Sequence, residues 1–125
     1  MRRLVFLLPL VAALLLPGMA SAQFAYRFAG SWSSNRYGAG GAVQMHDVQV
    51  APDGVITGQI LFSGSPCGHW APFNGRYFGE TASIGMDLGP PCGFVQINLQ
   101  RSGPGWVGIY QVPQIGDLGN FQIWP

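Results

Sequence analysis

From residue 24 onward, apolar and polar residues alternate with a period of two, and Gly or Pro interrupts the alternation at short intervals. The clearest stretch sets Ala82, Ile84, Met86 and Leu88 against Thr81, Ser83, Gly85 and Asp87. Successive side chains of an extended chain point to opposite faces, so this pattern makes a strand with one buried side. Val95, Ile97 and Leu99 oppose Gln96, Asn98 and Gln100 in the same way. Ile56, Ile60 and Phe62 oppose Thr57 and Gln59, and Phe24, Tyr26, Phe28 and Trp32 share one face of the first stretch. Val43 and Met45 give way to Val48 and Val50, a change of phase that predicts a bulge near His46-Asp47. Phe73 to Phe78, Trp106 to Val112 and Leu118 to Trp124 complete the set. No window carries the 3.6-residue stripe of a helix.

The breakers between stretches are compact. Pro52-Asp53-Gly54, Gly79-Glu80 and Ser102-Gly103-Pro104-Gly105 are turn sequences, and Gly89-Pro90-Pro91-Cys92-Gly93 cannot extend a strand. Tight turns make sequential strands antiparallel neighbours. About one strand per 12 to 13 residues over the last 103 or so gives eight. The expected fold is all-β: a small antiparallel up-and-down β-barrel of about eight strands, closed so that no edge is exposed. A two-sheet β-sandwich is the alternative. Gly30, Gly58, Gly75, Gly85, Gly108 and Gly119, inside or beside strands, are expected at barrel bends and close strand approaches. An outer-membrane barrel fits poorly, because membrane strands need about 9–11 residues and several here have six to eight.

Residues 1–22 read as a secretory signal peptide. Arg2 and Arg3 precede an apolar run from Leu4 to Leu16, Pro17-Gly18 breaks it, and Ala20-Ser21-Ala22 supplies small residues before the cut. Thirteen residues span about 20 Å as a helix, short of the roughly 30 Å hydrocarbon core, so no stable membrane anchor is expected. Residues 23–125 then form the single domain, periplasmic or secreted. Its two cysteines, Cys67 and Cys92, are expected to pair in such a compartment. Closing a loop of about 25 residues stabilises by about 3.5 kcal/mol in the chain-entropy picture.

Charge is scarce: 9% of the 125 residues, with no lysine. Without Arg2 and Arg3 the remaining 4 Arg face 4 Asp and 1 Glu, a net charge of −1. Nucleic-acid binding needs clustered cations to neutralise phosphates, and is excluded as a working idea. Acid–base chemistry has few groups to draw on.

Phe28-Ala29-Gly30-Ser31-Trp32 near the start of the domain resembles the Gly-x-Trp entry of the calycin-like small β-barrels, the lipocalin-like and avidin-like proteins. A cadence of glycine, aliphatic or aromatic residue, then glycine adds to it, in Val55-Ile56-Thr57-Gly58, Gly75-Arg76-Tyr77-Phe78-Gly79 and Gly105-Trp106-Val107-Gly108-Ile109-Tyr110. The resemblance implies a barrel with a ligand site at one mouth. In avidin-like proteins a polar cluster after Gly-x-Trp holds the ureido group of biotin. Ser33-Ser34-Asn35 is similar in kind, with Trp32 to Asn35 one residue longer than that pattern and Tyr37-Gly38 where it has Gly-Ser. The resemblance therefore supports architecture more than activity.

Candidate chemistry is thin. His46-Asp47 are adjacent on a strand and point apart, which suits a bulge or an exposed polar pair better than an acid–base couple. Ser63 or Ser65 with His69 lacks nucleophile-elbow spacing. Met45, His46, Asp47 and His69 lack ligand spacing, so neither a metal nor a cofactor is expected. Asp53, Asp87 and Asp117 sit beside glycines or turns and read as turn formers. Binding is the better reading. Strand amides such as Gln96, Asn98, Gln111 and Gln122, together with aromatic faces, suit a small apolar or neutral ligand. Trp32, Asn35 and Tyr37 near one mouth, with Trp106 and Tyr110 on a later strand, are the expected ligand-binding residues. The rival is an inhibitor of an extracytoplasmic protein, of protease or lysozyme type, acting through loops 33–41 and 63–72. The first reading needs a hollow barrel; the second tolerates a filled one.

Overall fold

A computed structural model of the chain describes residues 26–125. The expected leader, residues 1–22, lies outside the described residues, as does Phe24. Eight strands follow one another: β1 (Tyr26–Ser34), β2 (Gly40–Val50), β3 (Val55–Phe62), β4 (Ala71–Tyr77), β5 (Thr81–Asp87), β6 (Phe94–Ser102), β7 (Gly105–Val112) and β8 (Asp117–Trp124). Each pairs antiparallel with the next, and β8 returns to β1, with Trp32 opposite Phe121, to close a barrel. The sandwich alternative is thereby set aside.

The inward face is the apolar face of the alternation. Val43, Ile60, Ile84, Ile97, Phe121 and Ile123 are almost wholly buried at its centre. The amides and hydroxyls face outward and bond to one another across strands, as Gln96 Nε2 does to Ser83 Oγ at 2.5 Å and Gln122 Nε2 to Ser31 Oγ at 3.0 Å. Gln96, Asn98, Gln111 and Gln122 thus lie on the outer face of the wall, apart from the inward aromatics. A membrane barrel has the opposite arrangement, with its apolar band outward.

The bulge predicted near His46-Asp47 is present: pairing with β3 shifts between His46 and Gln49, and Asp47 has φ of 55°. The extra residue restores inward phase for Val48. Tyr26, expected on the core face, lies at the barrel's end and is 56% exposed, because β8, its neighbour on the other side, pairs no further than Trp124 opposite Ala29. Several strand glycines make room for rings, Gly58 and Gly119 among them. A Cβ on Gly58 would come within 2.7 Å of the Phe73 ring, and one on Gly119 within 2.6 Å of the Tyr110 hydroxyl.

Chain direction separates two ends. The connections 51–54, 78–80 and 103–104 meet at one end, and 35–39, 63–70, 88–93 and 113–116 at the other. Trp106, Tyr77 and Arg101 fill the first. The Arg101 guanidinium lies 4.7 Å from the Trp106 ring centre and donates to the Tyr77 hydroxyl at 3.1 Å. Cys67 and Cys92 pair, joining loops 63–70 and 88–93 at the second end.

Candidate functional site

Under the longer loops the barrel is hollow. A cavity of about 330 Å³ opens there, lined chiefly by Trp32, Phe62, Leu88, Val95, Tyr110 and Val112. Pro66, Pro91 and Cys92 form its rim, so the disulfide is part of the wall. Beneath it the aromatic rings meet edge to face. Trp32 lies 6.4 Å from Phe62 and 6.1 Å from Tyr110, and Phe62 lies 6.1 Å from Phe121. Such packing gives a firm floor and leaves little freedom for the space to collapse.

One corner of the cavity is polar. Asp117, the first residue of β8, shares inward phase with Gly119, Phe121 and Ile123 and is 8% exposed. Its Oδ1 accepts from Ser34 Oγ at 2.6 Å and from the Leu118 amide at 2.8 Å. Its Oδ2 accepts from the Tyr110 hydroxyl at 2.9 Å. Ser34 in turn accepts the Tyr37 amide at 2.9 Å, and Tyr37 donates its hydroxyl to the Ile115 carbonyl at 2.7 Å. Loop 35–39 is thereby pinned to the loop between β7 and β8. Burial, and then the hydrogen bond to Asp117 and its charge, push the Tyr110 hydroxyl far above the usual tyrosine range, so it stays a donor.

Asp117 is not the turn former that its neighbouring glycines suggest: it is buried and bonded to Ser34 and Tyr110. Asp53 and Asp87 do close turns, accepting from the Val55 amide at 3.2 Å and the Gly89 amide at 2.9 Å. Asp117 instead forms the buried polar corner of the cavity, close under the rim. Its phase with Phe121 and Ile123 marks it as inward, and so does the phase of Ser34 with Trp32. That signal was obscured by the glycines on either side of Asp117.

Of the expected ligand-binding residues, Trp32, Tyr37 and Tyr110 line the cavity. Trp32 Nε1 donates to the Ser63 carbonyl at 2.9 Å, which fixes its ring against the wall. Asn35 stands on the outer side, its amide bonded to the Leu118 carbonyl at 2.8 Å and its side chain 3.5 Å from Asn120. Trp106 sits at the opposite end, under Arg101. Ser34, Phe62, Val95 and Asp117 are among the lining residues that residue type alone does not single out.

The histidines lie apart from the cavity. His46 stacks on Trp70 with ring centres 4.6 Å apart, and His69 is exposed beside it. Asp47, at the bulge, is exposed. Ser65 Oγ accepts the Cys67 amide at 3.0 Å and lies at the cavity rim. Among the described residues no three His, Cys, Asp or Glu side chains gather as a metal site, and no helix is long and apolar enough to cross a membrane.

No protein-family model and no curated protein sequence matches the chain. Among solved structures it is similar to the crystal structure of rhizavidin, with TM-score 0.47 and 18% identity over 78% of this chain and 82% of that one. It is similar to the rhizavidin–biotin complex with the same score and identity, over 92% of that chain.

Proposed function

We propose that this chain is an exported, non-enzymatic protein that holds a small, largely apolar ligand in the cavity at the open end of its barrel. One observation carries the reading: the barrel is packed at one end and hollow at the other, and the hollow is walled by aromatic and aliphatic side chains with a single polar corner. A concave apolar space with few, fixed polar groups is the usual form of a small-molecule site. Export is supported by the layout of residues 1–22 and by the Cys67–Cys92 disulfide, which persists in oxidising compartments.

The test is uptake of a neutral fluorescent probe, N-phenyl-1-naphthylamine, by the oxidised protein. The expected result is a blue-shifted, saturable signal that Ala39→Trp abolishes, since Ala39 lines the cavity and an indole there obstructs it. No uptake by wild type, or unchanged uptake by Ala39→Trp, overturns the reading. Recovery of a stable protein partner without any ligand uptake would replace it with the inhibitor reading, carried by loops 35–39 and 63–70.

A further inference from the structure

The polar corner of the cavity can be counted atom by atom. A carboxylate oxygen offers two lone pairs, and a hydroxyl one donor and two acceptor sites. Asp117 Oδ1 has both pairs engaged, by Ser34 Oγ and the Leu118 amide. Asp117 Oδ2 has one engaged, by the Tyr110 hydroxyl. The Ser34 proton goes to Asp117, the Tyr110 proton goes to Asp117, and the Trp32 N–H goes to the Ser63 carbonyl. The polar corner therefore has acceptor capacity left and no donor to give. The hydroxyl of Ser65, accepting the Cys67 amide, keeps its proton free, but at the rim.

Charge sharpens the count. Asp117 is the one carboxylate that lines the cavity, and its three partners are neutral donors. Arg36 spends its guanidinium on the Gly116 carbonyl at 3.2 Å and over the Tyr37 ring at 5.2 Å. When a ligand displaces water from this corner, the carboxylate loses its remaining solvation. An apolar or acceptor-only ligand strands it, and a cation compensates it.

We infer that the ligand of this cavity is an apolar amine: a compact hydrophobic body against Trp32, Phe62 and Val95, with a protonated nitrogen donating to Asp117 Oδ2 and the Tyr110 oxygen. This deepens the proposed function and rests on the cavity being the ligand site. It also puts a charged nitrogen on the apolar ligand where composition alone suggested a neutral one. The volume of about 330 Å³ is roughly twice the ~150 Å³ that encloses a benzene ring, so a bicyclic body fits.

The test is calorimetric titration of the oxidised protein at neutral pH with tryptamine, tryptophol and indole-3-acetate, which share an indole and differ in the charge of the side arm. Tryptamine is expected to bind about 30-fold tighter than tryptophol, the size of a charge-assisted hydrogen bond, and indole-3-acetate to give no measurable heat. In Asp117→Asn the advantage of tryptamine over tryptophol is expected to fall to within about 3-fold. If N-phenyl-1-naphthylamine binds but tryptamine has no advantage, or keeps it in Asp117→Asn, the amine inference is overturned and the cavity stands. If neither that probe nor any indole binds, the cavity reading fails and takes the inference with it. Should Asp117→Asn not fold, the wild-type series alone decides.

Discussion

At the packed end of the barrel, the Trp106 indole lies 4.7 Å beneath the Arg101 guanidinium, and the Tyr77 ring meets Trp106 edge to face at 6.0 Å. At the other end, the inward positions nearest the rim are smaller or polar apart from Phe62: Ser34, Leu88, Val112 and Asp117 stand around an open space. The same eight strands, with the same inward phase, produce both ends. Two things differ. Connections at the packed end are tight turns, so the last inward side chains fold over one another. Connections at the open end are longer, and the longest, 63–70, is tied by the disulfide to 88–93 so that it stands as a rim. The lesson is that alternation sets the wall, whereas the length of the connections and what the last inward side chains pack against decide whether the wall encloses space.

The largest expected effect tests whether the packed end is purely structural. Trp106→Ala should cost about 3–5 kcal/mol in urea denaturation, as large-to-small changes of buried aromatics do. Uptake of N-phenyl-1-naphthylamine per folded molecule should be unchanged. Lost uptake in the folded variant would show that the two ends are coupled. Next, replacing Cys67 and Cys92 together by serine should cost about 2–4 kcal/mol. That variant should weaken probe binding while the near-ultraviolet signal of Trp106 persists, and equal loosening of both ends would break the contrast. Ser34→Ala removes a donor from buried Asp117 and an acceptor from the Tyr37 amide. It should cost about 1–3 kcal/mol, with faster hydrogen exchange in 35–39 and none at 103–104. The smallest effect concerns alkaline pH. Above pH about 10 the unfolded chain loses its tyrosine protons, while folded Tyr110 keeps its own. The folded state then binds more protons, so stability falls as pH rises past that value. Tyr110→Phe should flatten the fall, measured as the urea midpoint between pH 9 and 11.

Much of the wall was legible in sequence. Ile84, Ile97 and Ile60 alternate cleanly, and the phase change at His46-Asp47 located the bulge, because pairing register follows side-chain parity. Pairing of Cys67 with Cys92 followed from their being alone. The site was harder to read. Trp32, Tyr37 and Tyr110 were found by residue type, as aromatics near a mouth. Trp106 was grouped with them because sequence does not say which end of a strand faces which loops until the direction of every strand is known. Asp117 was misread for a different reason. Gly-Asp sequences are usually turns, and the burial of this carboxylate depends on donors from Ser34 and Tyr110, which are 83 and 7 residues away. No local window contains both.

The disulfide has one more consequence. Residues 67–92 form a covalent ring that contains β4, the 78–80 turn and β5. The exposed Phe78 and Glu80 side chains and an adjacent glycine make that turn an accessible place for a protease. A single cut there leaves two polypeptides that remain one molecule, each holding half of the cystine. Such a nicked protein would migrate intact until a reductant is added, and its strands would stay paired in the barrel without a continuous backbone.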